Sequence, residues 1–131
     1  MDNCFRPFSR EDGPAVAQLI HQLYVEDPGG RIPSGLQIQR TFEELTQHPE
    51  KGMILVFEHE NDVIGYTILI NYWSNEYGGN ILHVDELFIL PEFRGKGIAS
   101  DFIKYLYFAS PSFGHDQGSD AKDNTAKPEK L

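Results

Sequence analysis

The stretch that decides the fold reads LHVDELFILPEFRGKGIASDFIKYL over residues 82–106. Its first part is apolar and rich in residues that favour strands, and its last part repeats apolar residues at helical spacing. Gly95 and Gly97 lie between the two parts. A strand that runs through glycines into a helix presents several backbone N–H groups at the positive end of the helix dipole. This arrangement predicts a site for an anion such as a pyrophosphate.

The residues around the glycines agree with an anion site. Gly95 and Gly97 bring no Cβ, so a phosphate can approach the backbone closely. The small residues 99–100 continue that close approach in the first turn of the helix. Arg94 and Lys96 add positive charge locally, although the chain as a whole has a formal net charge of −9.

Patterns of apolar residues predict the other elements. Pro14 in a first turn, after a serine and an acid spaced as in a capping box, indicates where the first helix begins. Short links between the later apolar runs indicate antiparallel neighbours. The full prediction is a strand at residues 3–8, helices at 14–25 and 36–47, strands at 53–57, 63–73 and 81–90, and a helix from Ile98 to about Phe108.

Three phosphate-binding patterns are candidates for the glycine turn. A Walker A loop requires Gly-x4-Gly-Lys-Ser/Thr, which does not occur in this sequence. A dinucleotide fingerprint can be read across residues 95–100, but that motif belongs to the first strand and helix of a parallel βαβ unit. The third pattern, Gln/Arg-x-x-Gly-x-Gly/Ala, matches residues 94–99 and also their place in the chain.

Through this motif, the flanking residues 84–93 and the order of elements, the chain resembles the GNAT superfamily of N-acetyltransferases. The resemblance covers about residues 3–108. It implies an α/β (α+β) fold with a mixed, mostly antiparallel sheet flanked by helices. The expected order is β-α-α-β-β-β-α, without the C-terminal strands that usually follow in that superfamily.

The resemblance also implies acetyl-CoA as the co-substrate, with no metal. Backbone groups of the last strand would pair with the pantetheine arm, and one of its N–H groups would polarise the thioester carbonyl. The amides of the glycine turn would hold the pyrophosphate. The implied coenzyme-binding residues are Leu87, Phe88, Ile89, Arg94, Gly95, Lys96, Gly97, Ile98, Ala99 and Ser100.

The implied reaction is direct attack of a primary amine on the thioester. Such an amine is mostly protonated near neutral pH and must first lose a proton, and in relatives a carboxylate on the fourth strand often accepts it. Asp85 and Glu86 are the candidates. Adjacent strand residues point to opposite faces, so we expect only one to face the amine and favour Asp85, with His83 on the same face. A solvated or salt-bridged acid remains the alternative for either residue.

The acceptor amine is not identified by the sequence. The resemblance allows a small polyamine-like amine, an amino-acid-type amine or a lysine-type amino group. It also places Tyr24, Glu26 and the loop at residues 28–31 where relatives build the acceptor pocket. Tyr24 and Tyr66 are otherwise interpreted as core or loop aromatics.

Composition limits the partners and the cellular setting. With 20 acids against 11 bases, the surface repels nucleic-acid phosphates. No apolar stretch is long enough to span a bilayer, and no signal peptide is visible. The single cysteine excludes an intramolecular disulfide and favours a cytoplasmic location. The histidines show no zinc-ligand spacing.

Residues 109–131 differ from the superfamily pattern. They are polar, and we expect a disordered tail after a domain formed by residues 1–108. Without a following strand, the fourth strand would expose an apolar edge, which favours a homodimer through that strand. The alternative function is therefore a catalytically impaired coenzyme-A-binding or dimerising module. The edge residues in question are Leu82, Val84, Leu87 and Ile89.

Overall fold

The elements follow in the order strand, two helices, three strands, helix, which confirms the predicted order. The computed structural model describes residues 3–27 and 29–109. Three short 3-10 helices link the main elements, at Arg10–Asp12, Pro49–Lys51 and Pro91–Phe93. The main elements are β1 (Asn3–Pro7), α1 (Gly13–Glu26), α2 (Gly35–Gln47), β2 (Gly52–His59), β3 (Asp62–Ser74), β4 (Gly79–Ile89) and α3 (Ile98–Ala109).

The four strands form one antiparallel sheet in the order β1-β2-β3-β4. Glu60 and Asn61 connect β2 to β3, and both have positive φ, at 51° and 71°. Two such residues make the tight turn whose twist matches that of paired strands. In the described part of the chain, β4 pairs with β3 alone, so it lies at an edge of the sheet.

Each face of the sheet is covered by helices. The first face packs against α1 and α2 through a cluster that includes Leu19, Phe42 and Phe88. The second face packs against α3 through a cluster that includes Phe57, Val84 and Phe102. The two clusters are joined through the alternating side chains of the strands, because successive residues of a strand point to opposite faces.

A charged network fixes the start of α1. The Arg6 guanidinium donates to both carboxylate oxygens of Asp12 at 2.8 Å and to Glu58 at 2.8 Å. The Ser9 N–H also donates to Asp12 at 2.8 Å, so the predicted capping acid is present. The network joins β1, the 3-10 turn before α1, and β2.

The expectation of an exposed apolar edge on β4 is wrong for its side chains. Leu82 and Val84 are buried at 3% and 0% exposure, Ile89 is buried as well, and Leu87 is half-buried. They point to the second face, where α3 covers them. What remains open is the row of backbone N–H and C=O groups along the side of β4 that has no neighbouring strand in the described sheet. The predicted tail from residue 110 onward lies outside the described residues.

No helix in the described ranges combines the length and the apolar character that a membrane span requires.

Candidate functional site

The segment between β4 and α3 has the backbone that the glycine motif predicts. Gly95 and Gly97 adopt positive φ of 77° and 84°, a region that side chains with a Cβ rarely occupy. A Cβ placed on either residue would meet no protein atom within 4 Å. The glycines are therefore required by the backbone conformation, and the space above them is open to a ligand.

The backbone N–H groups of residues 95–100 donate to no acceptor in the described part of the chain. The first helical hydrogen bond of α3 runs from the Asp101 N–H to the Gly97 carbonyl at 2.9 Å. The three N–H groups before it belong to the helix end that always lacks intrahelical partners. The Arg94 amide differs, because it donates to the Pro91 carbonyl at 3.2 Å.

The two cations of the motif are arranged differently. The Lys96 ammonium lies 5.9 Å from the centroid of the Phe93 ring, and it forms no ion pair within residues 3–27 and 29–109. The Arg94 guanidinium turns back onto the protein. It donates to the Ile89 carbonyl at 2.6 Å and contacts the Glu26 carboxylate at 3.1 Å.

A β-bulge interrupts β4 at the two candidate acids. Glu86 lies opposite Ile68 of β3, and Val84 lies opposite Leu69. Asp85, between them, therefore has no residue opposite it on β3. Before the bulge Val84 packs on the α3 side, and after it Leu87 does. The alternation therefore shifts by one residue at the bulge. The expectation that Asp85 and Glu86 point to opposite faces is wrong, since both lie on the face of α1 and α2.

Three hydroxyl groups hold Glu86 in place. The Tyr24 hydroxyl of α1 donates to one carboxylate oxygen at 2.5 Å, and the Tyr66 hydroxyl of β3 donates to the other at 2.8 Å. The Thr67 hydroxyl donates to the Glu86 carbonyl at 2.7 Å. The Glu86 side chain is half-buried and fixed on both oxygens.

The two tyrosines keep their protons at neutral pH. Burial raises the pKa of the Tyr24 phenol well above its usual range, and the hydrogen bond to Glu86 raises it further. Burial is also the main cause that raises the pKa of Tyr66, and the Glu86 charge adds to it. The negative charge of Asp85 acts in the same direction on both phenols. Both phenols therefore act as donors to Glu86.

Asp85 is exposed, and no side chain or backbone group of the described residues donates to it. On the same strand, the half-buried His83 meets Tyr72 edge to face, with ring centroids 6.1 Å apart. Asp85 thus presents a free carboxylate beside one that is already occupied.

Sequence reasoning did not find that Tyr24 and Tyr66 donate to Glu86, although the resemblance had placed Tyr24 at the acceptor pocket. They lie 62 and 20 positions from Glu86 in the chain, so no local pattern connects them to it. The helical spacing of Tyr24 and the strand position of Tyr66 are equally typical of core aromatics.

Two other features bear on what the site can hold. Within the described residues, no three His, Cys, Asp or Glu side chains come together as a metal site would require. A cavity of about 690 Å³ lies between α1 and α2, lined by Phe8, Ile38 and Phe42 among others. It contains neither the candidate acids nor the glycine turn, so we do not assign the chemistry to it.

Comparison with protein-family models identifies the family of the chain. The model of the acetyltransferase (GNAT) family matches residues 17–116. That range contains β4, the glycine turn and α3, which together form the candidate site. No curated protein matches the sequence.

Solved structures share the fold. An integron cassette protein from the mobile metagenome of Cole Harbour Salt Marsh is 26% identical with a TM-score of 0.74, covering 84% of this chain and 71% of that one. A possible acetyltransferase from Clostridium difficile 630 is 20% identical with a TM-score of 0.71, covering 85% and 72%. A predicted acetyltransferase with acetyl-CoA, from Clostridium acetobutylicum, is 13% identical with a TM-score of 0.69, covering 84% and 74%.

Proposed function

The chain belongs to the GNAT acetyltransferase family, and we propose on that basis that it transfers acetyl to a primary amine by direct attack on the thioester. It is an N-acetyltransferase by family, with acetyl-CoA as the co-substrate. The proposed acceptor is a small polyamine-like or amino-acid-type amine, or a lysine-type amino group. The net charge of −9 favours such cationic acceptors through the summed field of the surface.

The observation that carries the proposal is the run of free amides at residues 95–100, at the start of α3. Backbone N–H groups at a helix start bind phosphate without help from side chains. The unpaired Lys96 ammonium adds a positive charge beside them. We assign the coenzyme pyrophosphate to this turn, which consists of Gly95, Lys96, Gly97, Ile98, Ala99 and Ser100.

The backbone of residues 87–89 would hold the pantetheine arm. These residues lie at the edge of the described sheet, where one side of β4 has no neighbouring strand. An extended ligand can add to such an edge through main-chain hydrogen bonds. An N–H of the same strand would stabilise the negative charge that develops on the thioester oxygen during attack.

The two acids of the bulge take different roles in this proposal. Asp85 is exposed and unpaired, so it can accept the proton of the attacking amine, directly or through a water. Glu86 is held by Tyr24 and Tyr66, and its fixed negative charge would attract the ammonium form of the acceptor toward Asp85. The bulge turns both carboxylates to one face of the sheet, which supports a shared acceptor site beside them.

The test is release of coenzyme A thiol from acetyl-CoA with a panel of amines. Asp85→Asn should lower kcat/KM by about 10²- to 10⁴-fold, the usual contribution of a general base. Tyr24→Phe should lower kcat less, by about tenfold, because Glu86 keeps its bond to Tyr66. Glu76→Gln is the control, since Glu76 is an exposed acid in the β3–β4 turn.

Two outcomes would contradict the proposal. Unchanged turnover in Asp85→Asn would remove Asp85 from the reaction. Coenzyme A binding without thiol release from any amine would favour the alternative, a coenzyme-binding module without turnover. The panel contains a diamine, a free amino acid and a lysine peptide, so the preferred acceptor class follows from the relative kcat/KM values.

A further inference from the structure

Arg94, the first residue of the glycine motif, directs its side chain away from the open space above the turn. Its Nε donates to the Ile89 carbonyl at the end of β4, 2.6 Å away. One terminal nitrogen lies 3.1 Å from each carboxylate oxygen of Glu26. The guanidinium carbon lies 5.1 Å from the centroid of the Phe88 ring, in cation–π contact. All of these contacts are with the protein.

These contacts leave Arg94 poorly suited to bind phosphate. Its charge is paired with Glu26, its Nε is used, and its own amide donates to Pro91. A phosphate would have to compete with the Glu26 carboxylate for the same fork of donors. Lys96, two residues later, has no ion pair in the described part of the chain and can supply the local positive charge.

Glu26 is the last residue of α1, so its contact with Arg94 ties the end of this helix to the loop that follows β4. Tyr24, two residues earlier in the same turn of helix, donates to Glu86. The last turn of α1 therefore contacts the bulge of β4 through Tyr24, and it contacts the loop of residues 94–97 through Glu26. This turn of helix thereby joins the bulge, with its two candidate acids, to the glycine turn.

We propose that Glu26 and Arg94 form a strut that positions the loop of residues 94–97, and that neither residue is a ligand of the coenzyme. The strut fixes the angle at which the loop leaves β4, so that the free amides face the ligand before it arrives. Since the ligand is assigned to this loop only under the proposed function, the inference rests on that proposal.

The experiment measures the Kd of coenzyme A by calorimetry and the KM for acetyl-CoA by thiol release. Glu26→Ala should weaken binding about two- to fivefold, as expected for a pair whose side chains are 42% and 45% exposed. Arg94→Lys should weaken it at least as much, because one ammonium cannot reproduce the fork that bonds both Ile89 and Glu26. In both variants the loss should appear mainly as a raised KM for acetyl-CoA, with a smaller change in kcat.

Glu92→Ala is the matched control, since Glu92 is an exposed acid beside the same loop that carries no ion pair in the described residues. It removes the same charge as Glu26→Ala without touching Arg94. It should leave the Kd unchanged or slightly lower, because fewer negative charges then lie near the phosphates.

The two possible roles of Arg94, as a phosphate ligand or as part of the strut, predict opposite changes in the affinity for coenzyme A. If Arg94 bound phosphate, Glu26→Ala would free it and tighten coenzyme A binding, and Arg94→Lys would keep most of the affinity. Either result would overturn the strut. A wild-type chain that binds no coenzyme A would overturn the proposed function itself, whereas wild-type binding with unaltered Kd in both variants would overturn the strut alone.

Discussion

Asp85 and Glu86 are neighbours in the chain with the same chemistry, yet their surroundings differ. Asp85 is exposed and has no partner in the part of the chain that the structure describes, and Glu86 is half-buried with a phenol on each oxygen. A carboxylate that accepts two hydrogen bonds is restrained in one orientation, whereas a free one can rotate toward a ligand. At the scale of single residues, environment rather than residue type separates the proposed base from its neighbour.

The same scale gives a stability prediction for Asp12, which is 7% exposed. The hydrogen bonds from Arg6 hold the pKa of the Asp12 carboxyl below its ordinary value of 3.8. Because the pKa is lower in the folded state, the Asp12 carboxylate contributes fully to stability at pH values above its unfolded-state pKa. That contribution is lost as the pH falls through its folded-state pKa. Asp12→Asn should therefore lower the free energy of unfolding by about 1–3 kcal/mol at pH 7.

The measurement is urea unfolding at pH 7 and at several values down to pH 2. The difference between wild type and Asp12→Asn should shrink below about pH 4, where the Asp12 carboxyl of the unfolded chain begins to protonate, and further as the pH falls through the lower folded-state pKa. Glu76→Gln serves as the control and should change stability by less than about 0.5 kcal/mol, as exposed sites usually do. If the difference in the free energy of unfolding between the two proteins did not change with pH, the effect would come from the packing of the side chain and not from its charge.

At the scale of elements, two irregular pieces of backbone build the site. The bulge in β4 turns both acids to one face. The glycine turn before α3 leaves a row of amides without partners among the described residues. Regular strand and helix geometry would provide neither, because a regular strand alternates its side chains and a capped helix end has its N–H groups filled.

Gly97→Ala tests the glycine turn. Alanine at a φ of 84° costs about 1–2 kcal/mol of strain, so the loop should shift and the Kd of coenzyme A should rise at least tenfold. Gly78→Ala is a matched control, because Gly78 also has positive φ, at 64°, with open space around it, but lies in the β3–β4 turn. Calorimetry in which both variants bind equally would contradict a role for the turn.

At the scale of the whole molecule, the side of β4 that has no neighbouring strand in the described sheet is a place where assembly can occur. The apolar side chains of β4 pack against α3 on one face and against α1 and α2 on the other, so that edge of the described sheet offers mainly its main-chain groups. Exposed strand edges pair with other strands, and the proposed pantetheine arm would use the same groups.

We therefore predict that the free chain self-associates weakly and that coenzyme A reverses it. Sedimentation velocity at rising protein concentration, with and without saturating coenzyme A, measures this directly. Dimers that persist in coenzyme A would place the interface elsewhere. A monomer under both conditions would contradict pairing through β4.

The sequence by itself determined the order of elements, the glycine turn and the family. Apolar spacing reflects which face of a helix or strand is buried, and that is a local property of each segment. The motif at residues 94–99 was similarly readable, because positive φ at Gly97 and the start of α3 depend on neighbouring residues.

Only the tertiary structure decided which groups meet. Strict alternation gave the wrong faces for Asp85 and Glu86, because a bulge depends on how β3 and β4 pair and not on either strand alone. Tyr24 reaches Glu86 across 62 positions and Glu26 reaches Arg94 across 68. Such contacts arise when helices pack on a sheet, and the free energy that selects them belongs to the packed whole and not to any segment of the sequence.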